Sequence, residues 1–458
     1  MNIQSVIEHL NKKMDCNLNT SYYTRIAEWR SWWVGFNKEF HQYKEFNGQQ
    51  FIDRKLYTMN MAKKVCEDWA SLLLNEKTLI VTDAQEFLDG VFASNSFWDE
   101  GNALVEKAFA TGTGAFVVKI DDFSGAKKIR IEYLQADSII PLSYRNGVVS
   151  EVAFASEVTE KGNKFVYLEM HVLESTGYVI KNFYLKSSGE GYIEQPLPET
   201  VAEKFITNSF VPMFALVSPN IVNNFDDCNG LGMAVFANAI DQIIGVDLAF
   251  HNFNRDLKLG GKKVFYSEDL VQKDGAGNII TPDDVCQQLF TILKKDEIGA
   301  LDGKTDWHEY NPDLRVQANK EAVQSQLDYL SFKCGFGTKH YQFNAGSIVT
   351  ATQYSGDKQE LVQNASKHYI VIERALRAVT KAILWAGDKL NEGTKIDIVF
   401  DDSIIIDKET ERLRDIGEVN AGLKAKWEFR VKWYGETEAV ARKMADEIDT
   451  ASPPTGVI

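Results

Sequence analysis

One span, from about Asn229 to Gln342, constrains this chain more than any other. It reads as a long helix, a compact insert of short strands, and a second helix coming back. The first arm, GLGMAVFANAIDQIIGVDLAFHNFNRDLKLGG, follows Asp226, Asp227 and Asn229, any of which can cap a first turn. Its Val235, Ala239, Ile240, Ile243, Ile244, Leu248, Phe253, Leu257 and Leu259 recur at helical spacing. Gly260-Gly261 stops it. After the insert, Asn311-Pro312 sets a cap and a helix-starting proline before DLRVQANKEAVQSQLDYLSFKCG, which ends at Gly335 and Gly337. At about 1.5 Å per residue the first arm reaches roughly 40 Å. A pair of arms that long with a small distal module is an odd way to build a monomer. It suits a subunit whose arms are buried by copies of itself.

The chain around this span has 458 residues, which suggests two to four units. With 65 acidic and 50 basic residues the net charge is -15 and the pI near 5.1. Such a balance argues against a broad, high-affinity nucleic-acid coat. It leaves room for a passage whose wall repels its cargo, and repetition around a ring would accumulate the field. The five cysteines are widely spaced without a CxxC pair, the usage of a reduced intracellular protein. The start, MNIQSVIEHLNKKMD, has no basic leader followed by an apolar core, so no signal peptide is expected. No window approaches eighteen apolar residues, so no membrane span is expected either.

In chain order, residues 1–115 read mainly as helical. Tyr22, Tyr23, Trp29, Trp32, Trp33, Phe36 and Phe40 are dense enough to stack bases. On an acidic chain they are better read as anchors for helices or a subunit contact. From Gly112 to Ser188 apolar and polar residues alternate between Gly, Asn and Ser turns, an antiparallel meander of five or six strands. Residues 188–207, with Pro196 and Pro198, read as an irregular excursion. In the insert, KKVFYSEDLV is a strand, DGAG a turn, and TPDDVCQQLFTILK a short helix or irregular crossover. Beyond the second arm, Asn344 to Ser355 is short-side-chained and punctuated by Gly346 and Gly356. A strong helix follows to Leu390, with Leu361, Ile370, Ile372, Leu376, Val379, Ile383 and Leu384 on its apolar stripe. KIDIVFDDSIIID is a strand with an acidic loop, two helical segments close the chain, and TASPPTGVI should be disordered.

Catalytic chemistry is sparse. TGTG at Thr111 to Gly114 lacks the lysine and spacing of a phosphate loop and reads as a turn. His171 stands without a partner set, and Cys286 with His308 make a weak case for zinc. Asp401, Asp402 and Asp407 form the best carboxylate cluster; helix capping and a solvated turn explain them as well as a Mg²⁺ site does. No Walker, HExxH or GxSxG motif occurs. Neither enzyme activity nor a cofactor or metal is expected, and a metal-dependent nuclease or transferase is the remote alternative.

Five blocks in order, RKLYTMNMAKKVCEDWASLLLNE, ADSIIPLSYRNGVVSEVAFAS, GLGMAVFANAIDQIIGVDLAFHNFNRDLKLGGKKVFYSEDLV, FGTKHYQFNAGSIVTATQ and DDSIIIDKETERLRDIGEVNAGLKAKWEF, cover nearly the whole chain. As a set they resemble the portal proteins of tailed bacteriophages, the siphophage type of Gram-positive hosts. The resemblance implies an α+β portal fold and a ring of about twelve copies at one capsid vertex of the virion, assembled in the host cytoplasm. Double-stranded DNA would pass through its centre in packaging and ejection. The implied partners are the terminase large subunit, major capsid and scaffolding proteins, and head-completion connector proteins; no membrane is involved. Another head-tail connector or minor capsid oligomer is the second reading.

Carried onto this chain, the resemblance implies a wing at 1–228 and 393–440. The stem helices would be 229–260 and 312–335, the clip 261–311, the tunnel loop region 336–356 and a long helix 357–392, with an acidic tail at 441–458. A large crown is not expected. Asn344, Ala345, Gly346, Ser347, Ile348, Val349 and Thr350 would form the tunnel loop, whose short polar groups and backbone touch phosphates weakly without a sequence code. Weak contact matters, because a strongly basic ring would trap moving DNA. Asp241, Asp247 and Asp256 are candidates for an acidic channel wall, and Arg255, Lys258 and Lys262 for basic rings; intersubunit salt bridges or solvated edges are the alternatives. Glu268, Asp269, Lys294, Lys295 and Trp307 would dock terminase and connectors.

Overall fold

The computed structural model describes residues 2–14, 17–46, 48–75, 77–123, 126–160, 162–189, 191–267, 270, 275–276, 290–294, 307–343, 351–400 and 408–451. Helix α1 (Ile3–Met14) buries Val6, Ile7 and Leu10, one face at helical spacing. Helix α2 (Tyr22–Val34) buries Tyr22, Tyr23, Trp29 and Trp32 and stops at Gly35, whose φ of 85° is the left-handed cap that glycine takes without a Cβ clash. The dense aromatics therefore anchor helices, with Tyr22 edge-on to Trp29 at 5.7 Å.

A short α3 (Lys38–His41) leads into a hairpin of β1 (Gln42–Phe46) and β2 (Phe51–Lys55). Asn37 caps α3 by accepting from the Glu39 and Phe40 amides, and its own amide donates to His41 Nδ1 at 2.8 Å. Asn37→Ala removes the side-chain acceptor and should cost about 1 kcal/mol, read as a lower denaturant midpoint at unchanged slope.

Helices α4 (Met61–Leu73), α5 (Gln85–Ser94) and α6 (Phe97–Thr111) flank β3 (Leu79–Thr82) and complete the helical half. Trp69 on α4 is its hub. It is fully buried, donates from Nε1 to the Cys334 carbonyl at 3.2 Å, and packs on Phe336 and His368 at 4.6 and 4.7 Å.

The expected single meander is two sheets. Strands β4 (Gly114–Phe123) and β5 (Ala126–Gln135) pair with β12 (Phe214–Val217) in the order β12-β4-β5. A 3-10 turn at Ala136–Ser138 then redirects the chain. Strands β6 (Ile139–Arg145), β7 (Val148–Glu160), β8 (Asn163–Glu174) and β9 (Gly177–Ser188) continue with β10 (Gly191–Gln195), and β11 (Lys204–Ile206) adds to β9. The stretch 188–207 is thus partly strand, because β9 offers an open edge to both of its ends.

Lys119 on β4 ties the two sheets. Its Nζ lies 2.8 Å from Glu132 on β5 and 2.8 Å from Glu169 on β8. Glu169 also accepts from His171 Nε2 at 2.8 Å, and Phe154 and Phe214 close over that imidazole edge-on, each at 5.4 Å. His171 is thus a buried partner of Glu169 inside the sheet stack, and its Nδ1 meets no hydrogen-bond partner among the described residues.

Helix α7 (Ile240–Leu259) starts later than its sequence suggests, after a 3-10 turn at Ala237–Ala239. Residues 229–236 cannot be helical where they are. A Cβ on Gly112 would overlap the Gly232 carbonyl, so two backbones touch there, and the Val235 amide bonds Phe109 O at 2.9 Å. Asp227 does not cap α7: it accepts from Ser21 Oγ at 2.5 Å and pairs with Arg25.

The insert carries β13 (Lys263–Ser267), β14 (Phe290–Leu293) and β15 (Trp307–Tyr310) in the order β14-β13-β15, with β14 parallel to β13. Helix α8 (Val316–Lys333) returns and ends before Gly335, φ 84°. Helix α9 (Ala351–Ala386) begins six residues before the expected 357, so 351–356 are helix rather than loop. Its stripe buries Leu361, Ile372, Leu376, Val379, Ile383 and Leu384, but Ile370 is exposed. Strand β16 (Ile396–Val399) pairs with β3 and brings the chain back to its N-terminal half. Helices α10 (Lys408–Asn420), α11 (Lys426–Tyr434) and α12 (Glu438–Ala451) follow; Asp415 of α10 takes Lys424, Lys432 and the Trp433 indole, each at 2.8 Å, and α12 packs on α11. The architecture is α+β. Among the described residues no helix is long and apolar enough to cross a membrane.

Candidate functional site: a two-helix arm with a distal sheet

Helices α7 and α8 pack antiparallel. Gly245 faces Gln326 so closely that a Cβ would run into the glutamine side chain, and Gly260 meets Leu314 in the same way. Between these points Asp256 accepts from Arg315 Nη2 at 2.7 Å and Asn319 Nδ2 at 3.0 Å. The Arg315 guanidinium holds the Asp256 carboxyl below the usual carboxylate range. At the far end Lys262 pairs with Glu309 at 2.8 Å, joining the end of the first helix to the distal sheet.

A polar latch fixes α7 to the body. Asp247, His251 and Arg255 recur every four residues and line one face. Asp247 is buried; its Oδ1 accepts the Met59 amide at 2.8 Å, and its Oδ2 accepts Thr58 Oγ1 at 3.0 Å and His41 Nε2 at 3.1 Å. Since the Asn37 amide donates to Nδ1 of His41, the imidazole proton sits on Nε2 and points at Asp247. One helical turn on, the Tyr57 amide donates to His251 Nδ1 at 3.2 Å; burial first, and then Arg255, pull that imidazole below its ordinary pKa. A further turn on, Arg255 Nη2 donates to Glu45 of the hairpin at 2.7 Å, and Glu45 takes Arg54 at 3.2 Å.

This geometry re-sorts the expected wall charges. Asp247 is not available to a channel, being enclosed by His41, Thr58 and Met59. Arg255, Asp256 and Lys262 are engaged within the chain. Asp241 and Lys258 are exposed, and neither makes an ion pair with a described residue. Of the expected docking residues, Trp307 opposes Tyr266 in the distal sheet and is half-exposed, and Lys294 is exposed. Glu268, Asp269 and Lys295 lie outside the described residues, as do Asn344 to Thr350 and Asp401, Asp402 and Asp407.

Sequence reasoning missed one feature: a cleft of about 420 Å³ along one side of the helix pair. Phe250 and Phe253 of α7, Val323 of α8, Met59 and Phe343 line it, with Lys320 and Glu321 among its polar residues. The trace of it in the sequence is Phe250 and Phe253, two large apolar side chains three residues apart on one face of the first arm.

The family described as "Phage portal protein, SPP1 Gp6-like" matches residues 12–453. No curated protein matches the chain. Among solved structures it is similar to "Neck of native GTA particle computed with C12 symmetry", at 11% identity, 81% of this chain, 88% of that chain and TM-score 0.40. It is similar also to "Virion of native gene transfer agent (GTA) particle", at 11% identity, the same coverages and TM-score 0.38. The family match runs through the helical half, both sheets, the two-helix arm and the C-terminal helices, and on that ground the chain belongs to the SPP1 Gp6-like phage portal protein family.

Proposed function

We propose that copies of this portal protein close into a ring of about twelve at one vertex of the capsid, forming a conduit for double-stranded DNA in packaging and ejection. The observation that carries this reading is the arm: two antiparallel helices, latched to the body at Asp247 and bearing a small sheet at their tip. Here α7 and α8 are the stem, β13–β15 belong to the clip, and the helical half with both large sheets is the wing. The clip is the platform for the terminase large subunit and later for head-completion connectors. Capsid and scaffolding proteins meet the wing. The short segment 344–350, between Phe343 and α9, is the tunnel loop. An acidic chain suits the task, since a wall that gains no counterion-release energy from DNA lets it slide.

Class averages of the purified full chain should show rings with a central opening wide enough for duplex DNA. Deleting Gly346 to Thr350 should leave those rings intact while packaging or retention of DNA falls at least about tenfold, because weak contacts repeated around a ring act together. Persistent monomers in the wild type would overturn the ring, and loss of rings on deletion would make the loop structural.

A further inference from the structure

The two-helix arm has two unlike faces, each with apolar surface that no described residue fully covers. On α7, Gly245 and Asp256 look toward α8. At about 100° per residue, Phe250 and Phe253 then fall on one side of that contact and Leu248 and Leu259 on the other. On α8, Asn319 and Gln326 look toward α7. Lys320 and Gln324 fall on the cleft side, and Tyr329 and Phe332 on the opposite side. The cleft and the Tyr329–Phe332 face are therefore opposite surfaces of one helical layer. Tyr329 is 61% and Phe332 53% exposed, large values for aromatic side chains on a packed helix. The register that sets Gly245 beside Gln326 also puts Asp241 level with Tyr329. Asp241 and Lys320 are both exposed, and neither makes an ion pair with a described residue.

We propose that Tyr329 and Phe332 of one copy enter the Phe250–Phe253–Phe343 cleft of the next copy, with Asp241 pairing to Lys320 across the contact. This rests on the ring reading and names the surface by which each subunit holds its neighbour. Pairing either face with itself about a two-fold axis would leave the other uncovered. Head-to-tail contact covers both, and a closed ring leaves neither exposed. The charges agree with the apolar fit: Asp241 stands beside the aromatic pair and Lys320 on the rim that receives it, while Glu321 on that rim accepts from Gln317 Nε2 at 2.7 Å. Asp241 is thereby assigned to a subunit contact instead of a channel wall.

The test is mass photometry of the full chain over a concentration series, with Asp241→Lys, Lys320→Asp, an equimolar mixture of the two, and both substitutions in one chain. Each single variant sets like charges against each other at every contact and should raise the concentration for half-assembly about tenfold. The mixture should return to within about twofold of wild type, because each reversed charge meets its reversed partner on the neighbouring copy. The combined variant should do the same. Tyr329→Ala with Phe332→Ala should shift the midpoint further, and since both are exposed, the circular dichroism of the monomer should not change. Wild-type rings with unaltered single variants, or no recovery on mixing, would overturn the contact while leaving the ring reading standing. A dimer as the largest species would assign the cleft to a two-fold contact and overturn it too. A wild type that never assembles would bring down the ring and this contact together.

Discussion

Replacing Asp247 by alanine should destabilise the folded chain by about 3–5 kcal/mol, the range for removing one partner of a buried charged network. The carboxylate is the common acceptor for the Met59 amide, the Thr58 hydroxyl and His41 Nε2. Among the described residues no other acceptor is recorded for these donors at the buried carboxylate's position, so each would keep its desolvation cost with nothing returned. Asp247→Asn is the milder control: one oxygen still accepts from Met59, but an amide NH₂ is set against two donors, and a loss of about 1–2 kcal/mol is expected. Chemical denaturation with the slope held constant measures both. A loss under about 1 kcal/mol for the alanine variant would mean that the latch does not hold α7 to the body. If it does hold, the alanine variant should also assemble poorly even where it remains folded, because the angle of the arm is set at that point.

Replacing Glu169 by glutamine should produce the second large effect, and this one depends on pH. Burial by itself would raise the Glu169 pKa, but the His171 bond and the Lys119 charge outweigh it and bring it from 4.5 to about 2. Lys119 is held above its ordinary value by Glu169 and Glu132 against the opposing effect of burial. A carboxylate with a depressed folded-state pKa stabilises fully above its unfolded pKa, and that contribution is lost as pH falls through the folded value. The difference between wild type and Glu169→Gln should therefore be about 3 kcal/mol at neutral pH, remain so down to about pH 4.5, and shrink toward pH 2. Urea midpoints across that range measure it. A difference independent of pH would show that Glu169 matters by shape alone. Because Lys119 sits on one sheet and Glu169 on the other, hydrogen exchange in the variant should rise first along β4 and β8.

Much of the fold was legible where the cause is local. The period of apolar residues marked α4, α6, α7 and α8, and the second arm stops before Gly335, whose left-handed position its sequence announces. Alternation announced the strands from 114 to 188. Where they divide was not legible, since β12, far along the chain, claims β4 and leaves β6–β9 to a second sheet. The late start of α7 has the same origin: Gly112 and Gly232 press backbone on backbone across a long sequence separation, and no local propensity records that.

The candidate site divides along the same line. That two helices enclose an insert, and that their apolar residues outnumber what one partner helix can cover, follows from spacing alone. What each charge does follows from the fold. On an amphipathic arm Asp247, Arg255 and Asp256 read as equally exposed, and only the tertiary arrangement buries the first against His41, Thr58 and Met59, turns the second to Glu45 and the third to Arg315. The sequence by itself determined the arm, because helical periodicity is a short-range property. The tertiary structure decided which of its charges are structural and which stay exposed, because burial and pairing depend on residues brought together from distant parts of the chain.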